Sequence, residues 1–170
     1  MVDLQSSGIS AAAITTYNNY WNFAMTVASK LNDASTFTGY PDSFGYAGGL
    51  NDHSQYPVYN YTEFDKMPTP ADDLDDDIDL DLRYVNANLT QASWQPPAQD
   101  QTCLIFFSAA PEAEFEDTSI QTTYDSFKTV IGVLIGDATS IPGITDSVNA
   151  KNLNDEEAQS VVQKLLDSLP

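Results

Sequence analysis

Apolar residues recur through residues 10–31 at spacings of three and four: Ile14, Tyr17, Trp21, Ala24, Met25, Ala28 and Leu31. That period puts them on one stripe of an amphipathic helix. The helix is expected to stop where Asn32-Asp33 opens a Ser/Thr/Gly/Pro-rich run, because such residues favour turns. Residues 39–64 then carry two aromatic segments, SFGY and YPVYNYTEF, broken by Gly45, Gly48, Gly49 and Pro57. The second alternates as a strand does, and Pro57 assigns it to a sheet edge. A second helix is expected after the prolines and aspartates of PTPADDLDDDIDLDL, where Ile78, Leu82, Val85 and Leu89 keep helical spacing.

Two apolar runs follow, TCLIFFSA and TVIGVLI. Short continuous runs of this kind are what a strand buried on both faces requires. A polar, acidic stretch with a short helical segment separates them. SVNAKNL reads as a third short strand, and Asn154 then opens a closing helix. Glu157 stands three residues after it in capping-box position, with Ala158, Val161, Val162, Leu165, Leu166 and Leu169 on the apolar face. Long apolar strands alternating with amphipathic helices predict an α/β class: a three-layer, doubly wound, mostly parallel sheet with helices on both faces, in the manner of a Rossmann fold. At 170 residues the chain reads as a single domain spanning residues 1–170, with no internal repeat.

Composition narrows the function. A net charge of -19, from 25 acidic and 6 basic side chains, leaves too few cations to neutralise phosphates, so nucleic acid is not an expected partner. No run reaches the roughly 18 apolar residues of a membrane span, so membrane insertion is not expected either. Cys103 is the single cysteine, which rules out an intrachain disulfide. Asn60-Tyr61-Thr62 and Asn88-Leu89-Thr90 are glycosylation sequons, making Asn60 and Asn88 glycan candidates and fitting a secreted glycoprotein.

In open sheets of this class ligands sit where strands empty into loops. Three such loops are expected at residues 3–10, 72–77 and 108–111. Read in order, MVDLQSSGIS, the long helix, CLIFFSA, TVIGVLIGD and the closing AQSVVQKLL resemble a von Willebrand factor type A domain. More narrowly, they are similar to the divergent form found in nematode secreted proteins, often beside a C-type lectin domain. The resemblance implies an extracellular adhesion domain whose loops hold a divalent cation through a D-x-S-x-S pattern, a threonine from a second loop and an aspartate after the fourth strand. Asp3 matches the first position and Ser7 the third, but Gln5 stands at the middle serine, and Ser108-Ala109-Ala110 replaces the aspartate. A hydroxyl does not supply a carboxylate's charge, and Mg²⁺ sheds its waters reluctantly. The site is therefore expected to be degenerate: Asp3, Gln5, Ser7, Asp77 and Ser108 form a remnant ligand-binding set, and no metal is expected. Asp3 and Ser7 are the ligands should Mg²⁺ or Ca²⁺ bind. Only Met1 and Val2 precede Asp3, so the first strand of such a fold is expected to be stunted or to begin upstream.

Competing chemistries read less well. Asp77, Asp79 and Asp81 alternate as in an EF-hand, but Leu82 and Asn88 stand where that loop needs glycine and glutamate. The aspartates fit better as an acidic first helical turn, with Asp75, Asp76 or Asp77 as donors to any weak surface Ca²⁺. Cys103 and His53 do not read as a nucleophile and base, since Cys103 opens a core strand. No phosphate-binding glycine loop or G-x-S-x-G motif occurs. The expectation is a non-enzymatic domain that binds protein or glycan, with the tyrosines of residues 40–64 as further recognition surface. The alternatives are a cation-dependent adhesion domain and a carboxylate-dependent hydrolase.

Overall fold

The computed structural model describes residues 2, 6–8, 10–38, 41, 44, 60–67, 103–112 and 127–169. Among them the element order is α1 (Ala11–Thr38), α2 (Tyr61–Phe64), β1 (Cys103–Ser108), β2 (Thr129–Leu134), β3 (Ser147–Asn149) and α3 (Asp155–Asp167). The two apolar runs lie side by side. β1 pairs parallel with β2 from Cys103 against Thr129 to Ser108 against Leu134, and β2 pairs parallel with β3. On the far side of β1, Val2 makes a parallel bridge to Phe107. The lateral order is thus Val2, β1, β2, β3, with each of these contacts parallel. The class is mixed α/β.

Side chains alternate across a strand, and here both sets are buried. Phe107, Ala109, Ile131, Val133 and Ile135 join one core cluster with residues of α1 and α3. Phe23 of α1 meets Phe107 edge-on, their rings 6.1 Å apart. Leu104, Phe106 and Leu134, at the alternate positions, are also buried. Gly132 has no side chain on that second face, and Ile141 and Ile144 fill the space. They are brought over it by a tight Ile141-Pro142-Gly143-Ile144 turn, with Gly143 at φ 79° and the Ile144 N–H donating to the Ile141 carbonyl at 3.1 Å. Each fully buried Ile or Val contributes about 1.5–3 kcal/mol, which makes these two strands the stable centre of the fold.

α1 is longer than expected and buries a wider face. Ser10 caps it, its Oγ accepting from the Ala13 N–H at 3.1 Å. Ala13, Tyr20, Phe23 and Val27 are buried beside the expected Tyr17, Trp21, Ala28 and Leu31, while Ile14, Ala24 and Met25 are half-buried against the core. The helix meets β1, α2 and α3 at once, and three neighbours need more than one stripe. It continues to Thr38, and within this extension the Ser35 hydroxyl donates back to the Asn32 carbonyl at 2.6 Å.

Residues 60–64 correct the end of the expected strand, whose residues 56–59 lie outside the described residues. Asn60 is the N-cap of α2: its Oδ1 accepts from the Glu63 N–H at 3.1 Å and its Nδ2 donates to Glu63 Oε2 at 3.0 Å. The exposed cap wins over the alternation because Tyr61 and Phe64, three apart, both pack on Phe44 at centroid distances of 5.5 Å. The expected helix through Ile78 and Leu89 lies outside the described residues.

α3 forms as its sequence dictates. Asn154 and Glu157 make the reciprocal capping box, and Ala158, Val161, Val162 and Leu165 are buried. Glu157 also accepts from the Asn152 N–H and side chain. Its carboxylate therefore brackets Leu153, which sits at φ 53° in the left-handed region. Ion pairs from the half-buried Lys30 to the exposed Asp155 at 2.8 Å and from Lys164 to Asp146 at 2.7 Å link α3 to α1 and to the approach to β3.

Candidate functional site

Parallel strands deliver their C-terminal ends to one edge, and the described residues there form a connected rim. β1 runs out through Ser108, Ala109, Ala110, Pro111 and Glu112, while β2 runs out through Ile135, Gly136, Asp137 and Ala138. β3 leads to Ala150 and Lys151. The segment 6–8, between Val2 and α1, is held by Tyr17. This fully buried tyrosine accepts from the Ser7 N–H at 2.9 Å and donates to the Gly8 carbonyl at 2.8 Å. Tyr20, one turn further along α1 and edge-on to Tyr17, brings its hydroxyl against Gly136.

Gly136 sits at φ 49°, and a Cβ placed on it would lie 2.9 Å from both the Ala109 Cβ and the Tyr20 Oη. The close approach of β1's exit to β2's exit therefore requires a glycine in the left-handed region. Two further ties span the rim. Ser140 donates to Glu112 Oε2 at 2.6 Å. The Lys151 ammonium donates to the carbonyls of Ile135, at 3.4 Å, Gly136, at 2.9 Å, and Ala138. Three acceptors match the three N–H bonds of an ammonium, so this lysine is committed to holding the β2 loop.

Of the expected remnant set, Ser7 and Ser108 are described, and Asp3, Gln5 and Asp77 lie outside the described residues, as do Asp75, Asp76, His53 and Asn88. Ser7 is exposed, with its backbone fixed by Tyr17. Ser108 is fully buried, its Oγ accepting from the Ala110 N–H at 3.2 Å and its carbonyl accepting from the Ile135 N–H at 3.0 Å. Ala109 and Ala110 are buried and have no side-chain oxygen. Ser108, Ala109 and Ala110 thus bring no side-chain carboxylate to the rim, the ligand a hard divalent cation prefers. Among the described residues no group of three or more His, Cys, Asp or Glu side chains comes together. Cys103 lies half-buried at the N-terminal end of β1, on the edge opposite the rim.

Of the aromatic residues between 40 and 64, only Phe44, Tyr61 and Phe64 are described, and Tyr40, Tyr46, Tyr56 and Tyr59 lie outside the described residues. Phe64 is buried, and Phe44 and Tyr61 are half-buried and packed on one another. Burial pushes the Tyr61 hydroxyl above its ordinary range, aided by the charges of Asp65 and Asp33 and opposed by a hydrogen bond with Ser29. Glu157 moves the other way. Its partial burial pushes the carboxyl up, but the N–H groups of Asn152, Asn154 and Leu153 and the Asn152 carboxamide outweigh that and hold it below the ordinary glutamate range.

Sequence reasoning missed Tyr17, Tyr20, Gly136 and Lys151 as rim residues. Gly136-Asp137 at the end of an apolar run carried a turn signal. The partners of the two tyrosines and of the lysine are mostly ten or more residues away and left no local mark. A scan against protein-family models and searches of curated proteins and of solved structures find no match. Among the described residues, no helix is long and apolar enough to cross a membrane.

Proposed function

We propose that this chain is a non-enzymatic extracellular interaction domain, a doubly wound, three-layer relative of the von Willebrand factor A domains with an eroded adhesion site, that binds protein or glycan through its rim. The observation that carries this reading is the closed exit of β1. Ser108 is fully buried, its hydroxyl accepting from the Ala110 N–H, and the two buried alanines after it offer no side-chain oxygen. The parallel order Val2, β1, β2, β3, with α1 and α3 sharing one core, supports the fold. Asp3, Gln5, Ser7, Asp77 and Ser108 are the proposed remnant binding set, of which Ser7 is exposed and Ser108 buried. Lys30 and Lys164 are paired with carboxylates and Lys151 with carbonyls, which further disfavours a phosphate-rich partner.

The test is binding of the immobilised chain to panels of extracellular proteins and glycans, with EDTA in the buffer. Binding that survives the chelator and is lost in Ser7→Arg supports the reading. Binding that needs added Mg²⁺ or Ca²⁺ supports a cation-dependent adhesion domain instead. Glycosidase or esterase turnover abolished by Asp77→Ala would support the hydrolase.

A further inference from the structure

We propose that Asn60 is an N-glycan acceptor, and that its glycan stands on the wall of the domain away from the rim. The proposal rests on the extracellular reading above only for the compartment in which the reaction occurs. Asn60-Tyr61-Thr62 has the acceptor pattern, without proline at its middle position. Asn60 and Thr62 are both exposed, and Asn60 has extended backbone at φ -63° and ψ 159° immediately before α2.

In the transfer, Asn60 Nδ2 attacks the anomeric carbon of a lipid-linked oligosaccharide pyrophosphate. The N–C bond forms as the C–O bond to phosphate breaks. The lipid pyrophosphate leaves with the electron pair, and one Nδ2 proton goes to solvent. The product keeps one N–H and the whole carbonyl. Oδ1 can therefore still accept from the Glu63 N–H, and the remaining Nδ2–H is available to Glu63 Oε2. Cap and glycan are compatible at this residue.

The position follows from α1. α2 packs on α1 with Tyr61 beside Ser29, whereas Tyr17 holds the rim segment. Twelve residues of helix separate Ser29 from Tyr17, about 18 Å at 1.5 Å per residue. A glycan beside α2 leaves the rim open and covers the side where Phe44, Tyr61 and Phe64 cluster.

The full chain, expressed behind a supplied secretory leader in a glycosylating host, is analysed by glycopeptide mass spectrometry with and without amidase treatment. The proposal expects amidase-sensitive glycan on Asn60 that is lost in Thr62→Ala, kept in Thr62→Ser and unaffected by Thr90→Ala. It also expects the glycosylated chain to unfold as cooperatively as Thr62→Ala. An unmodified Asn60 in the leader-directed chain overturns it, as does a chain that carries the glycan and does not fold. Because the leader is supplied, either result leaves the extracellular reading standing. A chain from its natural source without glycan, beside a glycosylated leader-directed chain, overturns the extracellular reading and leaves the acceptor in place.

Discussion

Replacing Gly136 by alanine tests how closely the exits of β1 and β2 approach. Two costs add. At φ 49° an alanine costs about 1 kcal/mol for the left-handed region. Its Cβ would also meet the Ala109 Cβ and the Tyr20 Oη at 2.9 Å. Ala109 is buried on the strand exit, so the overlap is relieved only by moving backbone, and overpacking of that kind costs about 1–3 kcal/mol. The expected loss for Gly136→Ala is therefore about 2–4 kcal/mol. Gly8→Ala is the internal control, because Gly8 has φ 74° and nothing within 4 Å of the place an added methyl would occupy, leaving only the conformational cost of about 1 kcal/mol. Urea unfolding followed by tryptophan fluorescence, to which the buried Trp21 contributes, gives both values, provided the slope of the transition is unchanged. Equal losses in the two variants would refute the close contact between the strand exits.

Three further outcomes follow from the same contacts. Tyr17→Phe should cost about 0.5–1.5 kcal/mol, since it removes the hydroxyl that bonds the exposed Ser7 N–H and Gly8 carbonyl, and should raise amide exchange at residues 6–8 while leaving β2 protected. Lys151→Met should lower stability by about 1 kcal/mol by releasing the loop carbonyls at the exposed end of β2, read as a shift in urea midpoint. Glu157→Gln should destabilise at neutral pH, and the gap from wild type should close in acid. The folded carboxyl lies below its unfolded range, so its stabilisation is full above the unfolded value of about 4.3 and is lost as pH falls through the lower folded value. Thermal melts from neutral to strongly acidic pH check the sign, and a gap that widened in acid would contradict it.

The parts of this fold that rest on local chemistry were legible in the sequence. CLIFF and TVIGVLI are apolar throughout because both faces of β1 and β2 are covered, and Asn154 with Glu157 announces α3 through a contact three residues long. The same Asn-x-x-Glu spacing stands at Asn60 and Glu63, yet alternating tyrosines suggested a strand there. The cap and the shared packing on Phe44 decide for helix, and Phe44 is too distant in sequence for any local pattern to show it. The rim was legible as a place but not as a mechanism of closure. Ser108 read as a remnant ligand, whereas its side chain is fully buried, which no local pattern shows. The roles of Tyr17, Tyr20 and Lys151 depend on long-range partners.

The proposal that this rim works without a divalent cation is tested most directly by urea unfolding of the chain in EDTA and in millimolar Mg²⁺ or Ca²⁺. An ion that binds only the folded state raises apparent stability, by about 2.7 kcal/mol when present at 100 times its dissociation constant. With Ser108 turned inward and Ala109 and Ala110 buried beside it, the unfolding midpoint is predicted to be the same in all three buffers. A saturable rise with Mg²⁺ or Ca²⁺, abolished by Asp3→Ala, would contradict the account.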